Sequence, residues 1–302
     1  MKKTILLLTF FGSLLLGCSP KNIPQTATIV NQEALDNDGY QMLIGLCTKA
    51  AMLREPYKNW YEPTYNAYQL DTLLLKKLKP NTETDTYTIF MATWCGDSQN
   101  EVPKFLKMMR YLNIPQANYK IVMVDNQQEQ YKQSPTHEER GQNIFRVPTF
   151  IINRNGQEIG RIVEHPVENF EKDFTKIMNG EAYSSSFKIQ PKMRNFIESQ
   201  TVDFSDNALK QFAETHKSLA NKMGELNAYG YVLLGQKRYK EAITVLKINT
   251  YLFPENDGTY DSLGEAYMIA GKKDLAILNY EKALKLNPKA DGSRKMLERL
   301  KG

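Results

Sequence analysis

Cysteine is scarce in this 302-residue chain: three residues, at positions 18, 47 and 95. That excludes a disulfide-stapled scaffold and leaves neither a Cys₄ nor a Cys₂His₂ zinc site to assemble. Histidine is equally sparse. His137, His165 and His216 fall in separate segments with no i, i+4 pair, so neither a metal site nor a cofactor is expected. Charge of one sign is nowhere concentrated: the formal net charge of +5 is spread over the whole length, with basic residues interleaved among acidic ones, which points away from a nucleic-acid partner. What the chain does have is length and apolar content. With 41% hydrophobic residues it supplies two cores, and two domains are predicted rather than one.

The one long apolar run is at the start. Met1-Lys2-Lys3 gives a positive beginning, and Thr4 to Leu16 follows as an almost unbroken apolar stretch too short to span a bilayer comfortably. Residues 1–17 therefore read as a signal peptide. Leu15-Leu16-Gly17-Cys18 resembles the lipobox of bacterial lipoproteins, which implies that Cys18 is acylated and becomes the new N-terminus. The alternative is an ordinary secretory peptide with an incidental cysteine. Acyl chains contribute about 0.8 kcal/mol per buried methylene, so several of them hold a protein at a membrane without spanning it. Residues 18–38 are polar and carry two prolines. They are expected to form a flexible tether with a reach of roughly 25 Å.

From Tyr40 to Arg54, Leu43, Leu46, Cys47, Ala50 and Leu53 recur at three- and four-residue steps, predicting a helix with Cys47 on its buried face. Leu70, Leu73, Leu74 and Leu78 predict a second helix ending near Pro80. Thr86 to Ala92 is rich in strand formers and runs into Thr93-Trp94-Cys95-Gly96-Asp97-Ser98. Beyond it, Val102, Phe105, Leu106 and Met109 mark one face of a new helix. Cys95 thus sits where a strand hands over to a helix, whose unpaired N–H groups and positive dipole end favour a thiolate. Asn118 to Asp125 reads as the next strand, Arg146 to Ile152 as another, and Asn155-Gly156 as a two-residue hairpin turn into Glu158–Val163. A closing helix is expected from about Val167 to Met178. Asp97, Glu101 and Glu139 are expected on solvated surface.

Trp94-Cys95-Gly96 with Ser98, followed in order by Val147-Pro148-Thr149 and the Asn155-Gly156 hairpin, resembles the thioredoxin superfamily over roughly residues 39–180. The resemblance implies an α/β domain with a mixed central sheet flanked by helices, and a cis Pro148 packed beside Cys95. It also implies a substrate-binding role for Trp94, Gly96, Val147 and Pro148. The sequence departs from the family pattern at three places. Ser98 stands at the site of the resolving cysteine, Asp97 replaces the usual proline, and Ile89 lies near the place of the buried acidic proton acceptor. A one-thiol chemistry remains, in which Cys95 forms a mixed disulfide that an outside thiol resolves, with Ser98 available to hydrogen-bond the sulfur. Cys47 reads more readily as a small buried apolar residue than as a remote resolving partner.

Further on, Gly230 and Gly264, Ala242 and Ala276, and Pro254 and Pro288 recur with a period of 34, which resembles the tetratricopeptide repeat. Tyr260, Leu263, Gly264, Tyr267, Ala276, Tyr280, Ala283 and Pro288 fill the second unit. The first keeps Leu226, Gly230, Leu233, Ala242 and Leu246, but carries Asn249 where a small apolar residue is usual. Residues 181–222 are read as linker and degenerate leading repeat, with Ala208 and Phe212 in the repeat's spacing, and 223–302 as repeats with a capping helix from Asp291 to Leu300.

Two functions fit these residues. In the first, a lipoprotein on the periplasmic face of the outer membrane acts as a thiol–disulfide oxidoreductase through Cys95 and Ser98. Its partners are protein thiols or disulfides, an external reducing thiol, and a peptide or protein on the repeat groove. In the second, both domains are non-catalytic binding or scaffold surfaces.

Overall fold

The computed structural model describes residues 30–199 and 204–302. The expected signal peptide and the Cys18 lipidation site lie outside the described residues. A six-stranded sheet occupies the first part of the chain: Gln32–Leu35 (β1), Gln41–Cys47 (β2), Asp85–Met91 (β3), Tyr119–Met123 (β4), Thr149–Arg154 (β5) and Gln157–Val163 (β6). Their spatial order is β1-β2-β4-β3-β5-β6, with β3 and β4 parallel and every other neighbouring pair antiparallel. The helices of this part are Lys58–Ala67 (α1), Thr72–Leu75 (α2), Gly96–Tyr111 (α3) and Phe170–Met178 (α4). The connection from β3 through α3 to β4 is the parallel crossover that a 16-residue helix is long enough to make.

One face of the sheet packs against α3 and α4 through Phe105, Phe150, Phe170 and Phe174, all fully buried, with Tyr61 of α1 in the same core. The phenylalanine rings meet at 4.4–6.2 Å between centroids, in tilted and edge-on arrangements that suit aromatic quadrupoles. The opposite face is covered by Ile144 and Val147, which close over Phe90, Val122, Val124 and Ile151. Asn155 and Gly156 both take positive φ, 52° and 75°, the two-residue turn expected between β5 and β6.

Three features of this part differ from the sequence reading. The stretch from Tyr40 to Arg54 is not a helix but β2 followed by a short 3₁₀ turn at Lys49–Leu53. Met42, Leu43 and Ile44 are buried in succession, and Leu43 and Leu46 pack into separate clusters on the two faces of the sheet. A strand covered on both faces loses its alternation, and its apolar spacing then imitates a helical stripe. Gly45, at φ +75°, stands outside the right-handed helical region altogether. The second difference is β1, which falls inside the stretch read as tether. The third is α1, which carries Pro63 in its interior, while the leucine-marked helix before Pro80 shortens to α2, capped by the Asp71 carboxylate on Leu74 N–H at 3.1 Å.

The rest of the chain is all helical: Ile189–Glu198 (α5), Asp206–His216 (α6), Gly224–Gly235 (α7), Tyr239–Leu252 (α8), Asp257–Ile269 (α9), Lys273–Leu286 (α10) and Asp291–Lys301 (α11). A Cβ built on Gly230 would come within 2.6 Å of Leu246, and one on Gly264 within 3.1 Å of Tyr280. Small residues at these positions are therefore what lets α7 cross α8, and α9 cross α10, so closely. Asn249, the residue that breaks the repeat pattern, is fully buried and binds Met223 O at 2.9 Å and Asn227 Oδ1 at 3.1 Å. Upstream, α5 packs on α7 and α6 on α8, with the rings of Phe196 and Phe212 4.7 Å apart.

The helical core is continuous with the sheet domain. Phe145 and Val163 belong to the same buried cluster as Leu226, Tyr229 and Leu233, and Phe145 meets Phe187 and Tyr229 edge-on at 5.6 and 6.4 Å. No helix among the described residues is long and apolar enough to cross a membrane.

Candidate functional site

Cys95 occupies the N-cap position of α3, directly after β3. The cap residue keeps extended backbone, φ −96° and ψ 119°, so its side chain leaves the strand's end before the helix begins. Cys95 is half-buried, and its thiol donates to the Val147 carbonyl across 3.3 Å. The peptide that follows, Val147–Pro148, is cis. Three hydrogen bonds hold this loop: Thr149 Oγ1 donates to Arg146 O at 2.7 Å, Glu164 N–H to Pro148 O at 2.7 Å, and Arg146 Nη1 to Glu164 Oε1 at 2.8 Å. The structure thus brings Cys95, Val147 and Pro148 together from segments some fifty residues apart in sequence.

Trp94 lies alongside. Its indole N–H donates to Val124 O at 2.9 Å and its ring stacks on Tyr131 at 6.3 Å, leaving one part in the core and one at the site's rim. Gly96 opens α3, and a Cβ added there would meet nothing within 4 Å. Ser98 is fully buried, and its hydroxyl oxygen accepts the Ala92 N–H at 3.2 Å. The hydrogen bond expected from Ser98 to the sulfur is thus replaced by two others: Ser98 ties the end of β3 to α3, and the sulfur turns to Val147.

The other described cysteine cannot reach this site. Cys47 pairs with Ile121 in the sheet, and Ile121 pairs with Ile89, six residues before Cys95. The strand between Ile89 and Ala92 alone spans about 10 Å, beyond the 4.4–6.8 Å between α-carbons that a disulfide tolerates. Burial pushes the Cys47 thiol up to about 12, only partly offset by a hydrogen bond with the Asn31 backbone and by Arg54. It behaves as an inert core residue, as the sequence suggested, although on a strand.

Two carboxylates expected at the surface are buried instead. Glu101 binds Lys104 Nζ at 3.1 Å and Asn100 Nδ2 at 2.6 Å. Glu139 accepts Ser134 N–H and Oγ–H at 3.0 and 2.8 Å. Both are structural ties rather than an acid–base pair. The three histidines sit apart, against Glu139, Glu164 and Phe212, and among the described residues no cluster of His, Cys, Asp or Glu is placed to hold a metal ion.

The sequence reading missed the cations. Lys132 is 5% exposed, and its ammonium donates to Tyr131 Oη at 2.9 Å and Phe145 O at 3.0 Å. Burial, reinforced by Arg146, pulls this lysine down to about 7, against opposing effects of Cys95 and Glu164. Arg146 bridges the two halves of the molecule: besides Glu164 it binds the Gly224 carbonyl at 2.5 Å and lies over the Phe187 ring at 5.4 Å. Nothing local announces Lys132, which stands in the polar stretch Asn126 to Gln133 without any period. Only the tertiary fold turns it inward.

On the helical part, polar side chains face one another across the first helices of successive pairs. Asn227 donates to Ser262 at 2.7 Å, Tyr231 to Glu265 at 2.6 Å, and Ser293 to Asp261.

Comparison with known families agrees with this geometry. A family model described as Thioredoxin matches residues 49–172, and one described as Tetratricopeptide repeat matches residues 258–290. The search of curated proteins found no match.

Proposed function

We propose, from the premise that this chain joins a thioredoxin-like domain to tetratricopeptide-type helices, that it is a thiol–disulfide oxidoreductase working through Cys95 alone. The observation that carries the reading is the placement of a half-exposed sulfur at the strand-to-helix junction, 3.3 Å from the carbonyl that precedes cis-Pro148. The thiolate of Cys95 attacks one sulfur of a substrate disulfide. The old S–S bond breaks, its electron pair leaves on the departing sulfur, which takes a proton, and Cys95 is left in a mixed disulfide. With Ser98 in place of a second cysteine and Cys47 out of reach, an external thiol loses its proton and attacks the substrate-side sulfur of that bond, forming a new disulfide with the substrate sulfur while Cys95 leaves with the electron pair and is returned to the reduced state. Trp94, Gly96, Val147 and Pro148 line the approach and would bind the substrate segment. The helical repeats would recruit the protein partner. The acylated Cys18 would hold the whole at the periplasmic face of the outer membrane.

Capture tests this directly. Incubation of the reduced protein with a peptide disulfide, followed by mass spectrometry without reductant, is expected to give a one-to-one adduct on Cys95 that free thiol releases. Cys95→Ser should form none. Failure of the unmodified protein to form an adduct would leave the non-catalytic scaffold as the better reading.

A further inference from the structure

With Lys132 protonated and Cys95 neutral, the charges beneath Trp94 do not balance. The charged and titratable groups facing Lys132 are Tyr131, Arg146, Glu164 and Cys95. Glu164, the one carboxylate in this set, is already engaged by Arg146 at 2.8 Å, with His165 at 3.8 Å on its other side. Among the described residues Lys132 makes no ion pair with a carboxylate; its partners are the phenol of Tyr131 and the Phe145 carbonyl. Two buried or half-buried cations therefore share one anion, a costly arrangement in a poorly solvated site unless another group ionises or a proton leaves.

The geometry points to that other group. Cys95 Sγ rests on the carbonyl of Val147, and Lys132 Nζ on the carbonyl of Phe145. These residues are two apart in one loop, so their α-carbons are separated by at most about 7 Å. Trp94, next to Cys95, stacks on Tyr131, whose ring lies 4.4 Å from Lys132 Nζ. A negative charge on Cys95 would favour the protonated forms of both Tyr131 and Lys132.

We propose that Lys132 is the cationic partner of ionised Cys95 and the acceptor of its thiol proton. The S–H bond breaks, its electron pair stays on sulfur, and the proton joins the neutral amine as the third N–H of the ammonium. Two cations then face two anions, and the site is balanced. Ile89, which stands where the resemblance implies an acidic proton acceptor, cannot take this proton. Buried and held near 7, this lysine exchanges its proton close to neutrality, as a solvated lysine does not. The proposal rests on the single-thiol reading above but is separable from it by experiment.

Alkylation of Cys95 by iodoacetamide, followed by mass spectrometry on the full chain from pH 6 to 10, provides the test. The readout is the ratio of the rates at pH 7 and pH 10. Lys132→Met, which fills the same space without a cation, is expected to lower that ratio about tenfold, the effect of losing one poorly screened opposite charge; Lys132→Arg should preserve most of it. An unchanged ratio in Lys132→Met would overturn the proposal. A complementary measurement needs no change at Lys132. In protein carrying ¹³C-labelled lysine, Cys95→Ser is expected to move the Lys132 titration to lower pH, since the anion that favours the ammonium is gone. An unmoved titration would also count against the pairing. If the ratio falls as expected but no mixed disulfide is captured, the pairing stands and the oxidoreductase reading fails. Capture with an unchanged ratio is the reverse.

Discussion

Gly230→Ala gives a quantitative test of how the helical part is built. Alanine is favoured over glycine in a helix interior by about 1 kcal/mol, so with room for the methyl group the substitution would stabilise α7. There is no such room. The added carbon would lie 2.6, 2.7 and 3.1 Å from the three branch carbons of Leu246, where favourable carbon contacts begin near 3.5 Å. Leu246 must retreat by about 1 Å, yet it is fully buried among Leu226, Val245 and Leu233. Overpacking of this kind costs about 1–3 kcal/mol, so the net expectation is a loss of up to about 2 kcal/mol. Leu246→Ala alone should cost about 2–5 kcal/mol by opening a cavity. The double variant should lose about 1–2 kcal/mol less than the sum, because the new methyl then has somewhere to go. Gly292→Ala, where nothing lies within 4 Å of the added carbon, is the control and should be neutral or stabilising. Urea unfolding followed by far-ultraviolet circular dichroism measures the helices. Trp60 and Trp94 both lie in the sheet domain, so their fluorescence shows whether that domain unfolds in the same transition. A stabilising Gly230→Ala, or effects additive within about 0.5 kcal/mol, would refute the close crossing.

Other consequences are equally direct. With its thiol pushed up to about 12, Cys47 is ionised to only about 1 part in 10⁵ at pH 7; mass spectrometry of the alkylated native protein should find label on Cys95 and on Cys47 only after unfolding. Arg146→Met removes the ion pair to Glu164 and the bond to Gly224 O. It should cost about 2–4 kcal/mol in urea unfolding, and a loss below about 0.5 kcal/mol would show that the arginine does not join the two parts. Burial pushes the Glu225 carboxyl up to about 7 from 4.5, although Ile189 and Gln190 donate their N–H groups to it. The folded state therefore binds the proton more tightly than the unfolded chain. The stabilisation is complete below about pH 4.5 and disappears as pH rises through 7, about 3 kcal/mol at most. Melting temperature should fall between pH 5 and 8, and Glu225→Gln should flatten that fall; parallel curves would sink the assignment.

Where the sequence could be read, the reason is local. The run from Thr86 to Ala92 has strand formers, and Val102, Phe105, Leu106 and Met109 have a helical stripe, so the position of Cys95 between them follows from patterns that lie wholly within each element. The Asn155-Gly156 turn and the small residues of the 34-residue period are legible for the same reason. The failures share a cause too. Strand β2 is covered on both faces and shows no alternation. In α1 the inward residues are Trp60, Tyr61 and Tyr65, interrupted by Pro63, so neither composition nor period signals a helix. Lys132 and Glu139 are polar residues buried by segments beyond their own: Lys132 reaches the Phe145 carbonyl, and Glu139, though tied locally to Ser134, lies against Arg194, Tyr229 and Val232 of the helical part. No window of a dozen residues contains that information.

Phe145 and Arg146 face the helices, while Val147, next in line, carries the oxygen on which the Cys95 sulfur rests. The two parts are consequently not beads on a string. Expressing residues 30–180 alone would strip Phe145 and Val163 of their cover and leave the guanidinium of Arg146 without the Gly224 oxygen, so the seat of the Cys95 sulfur would be set differently in the fragment than in the intact chain. By the same token, a ligand that tilts α7 has a mechanical route to the thiol through three consecutive residues.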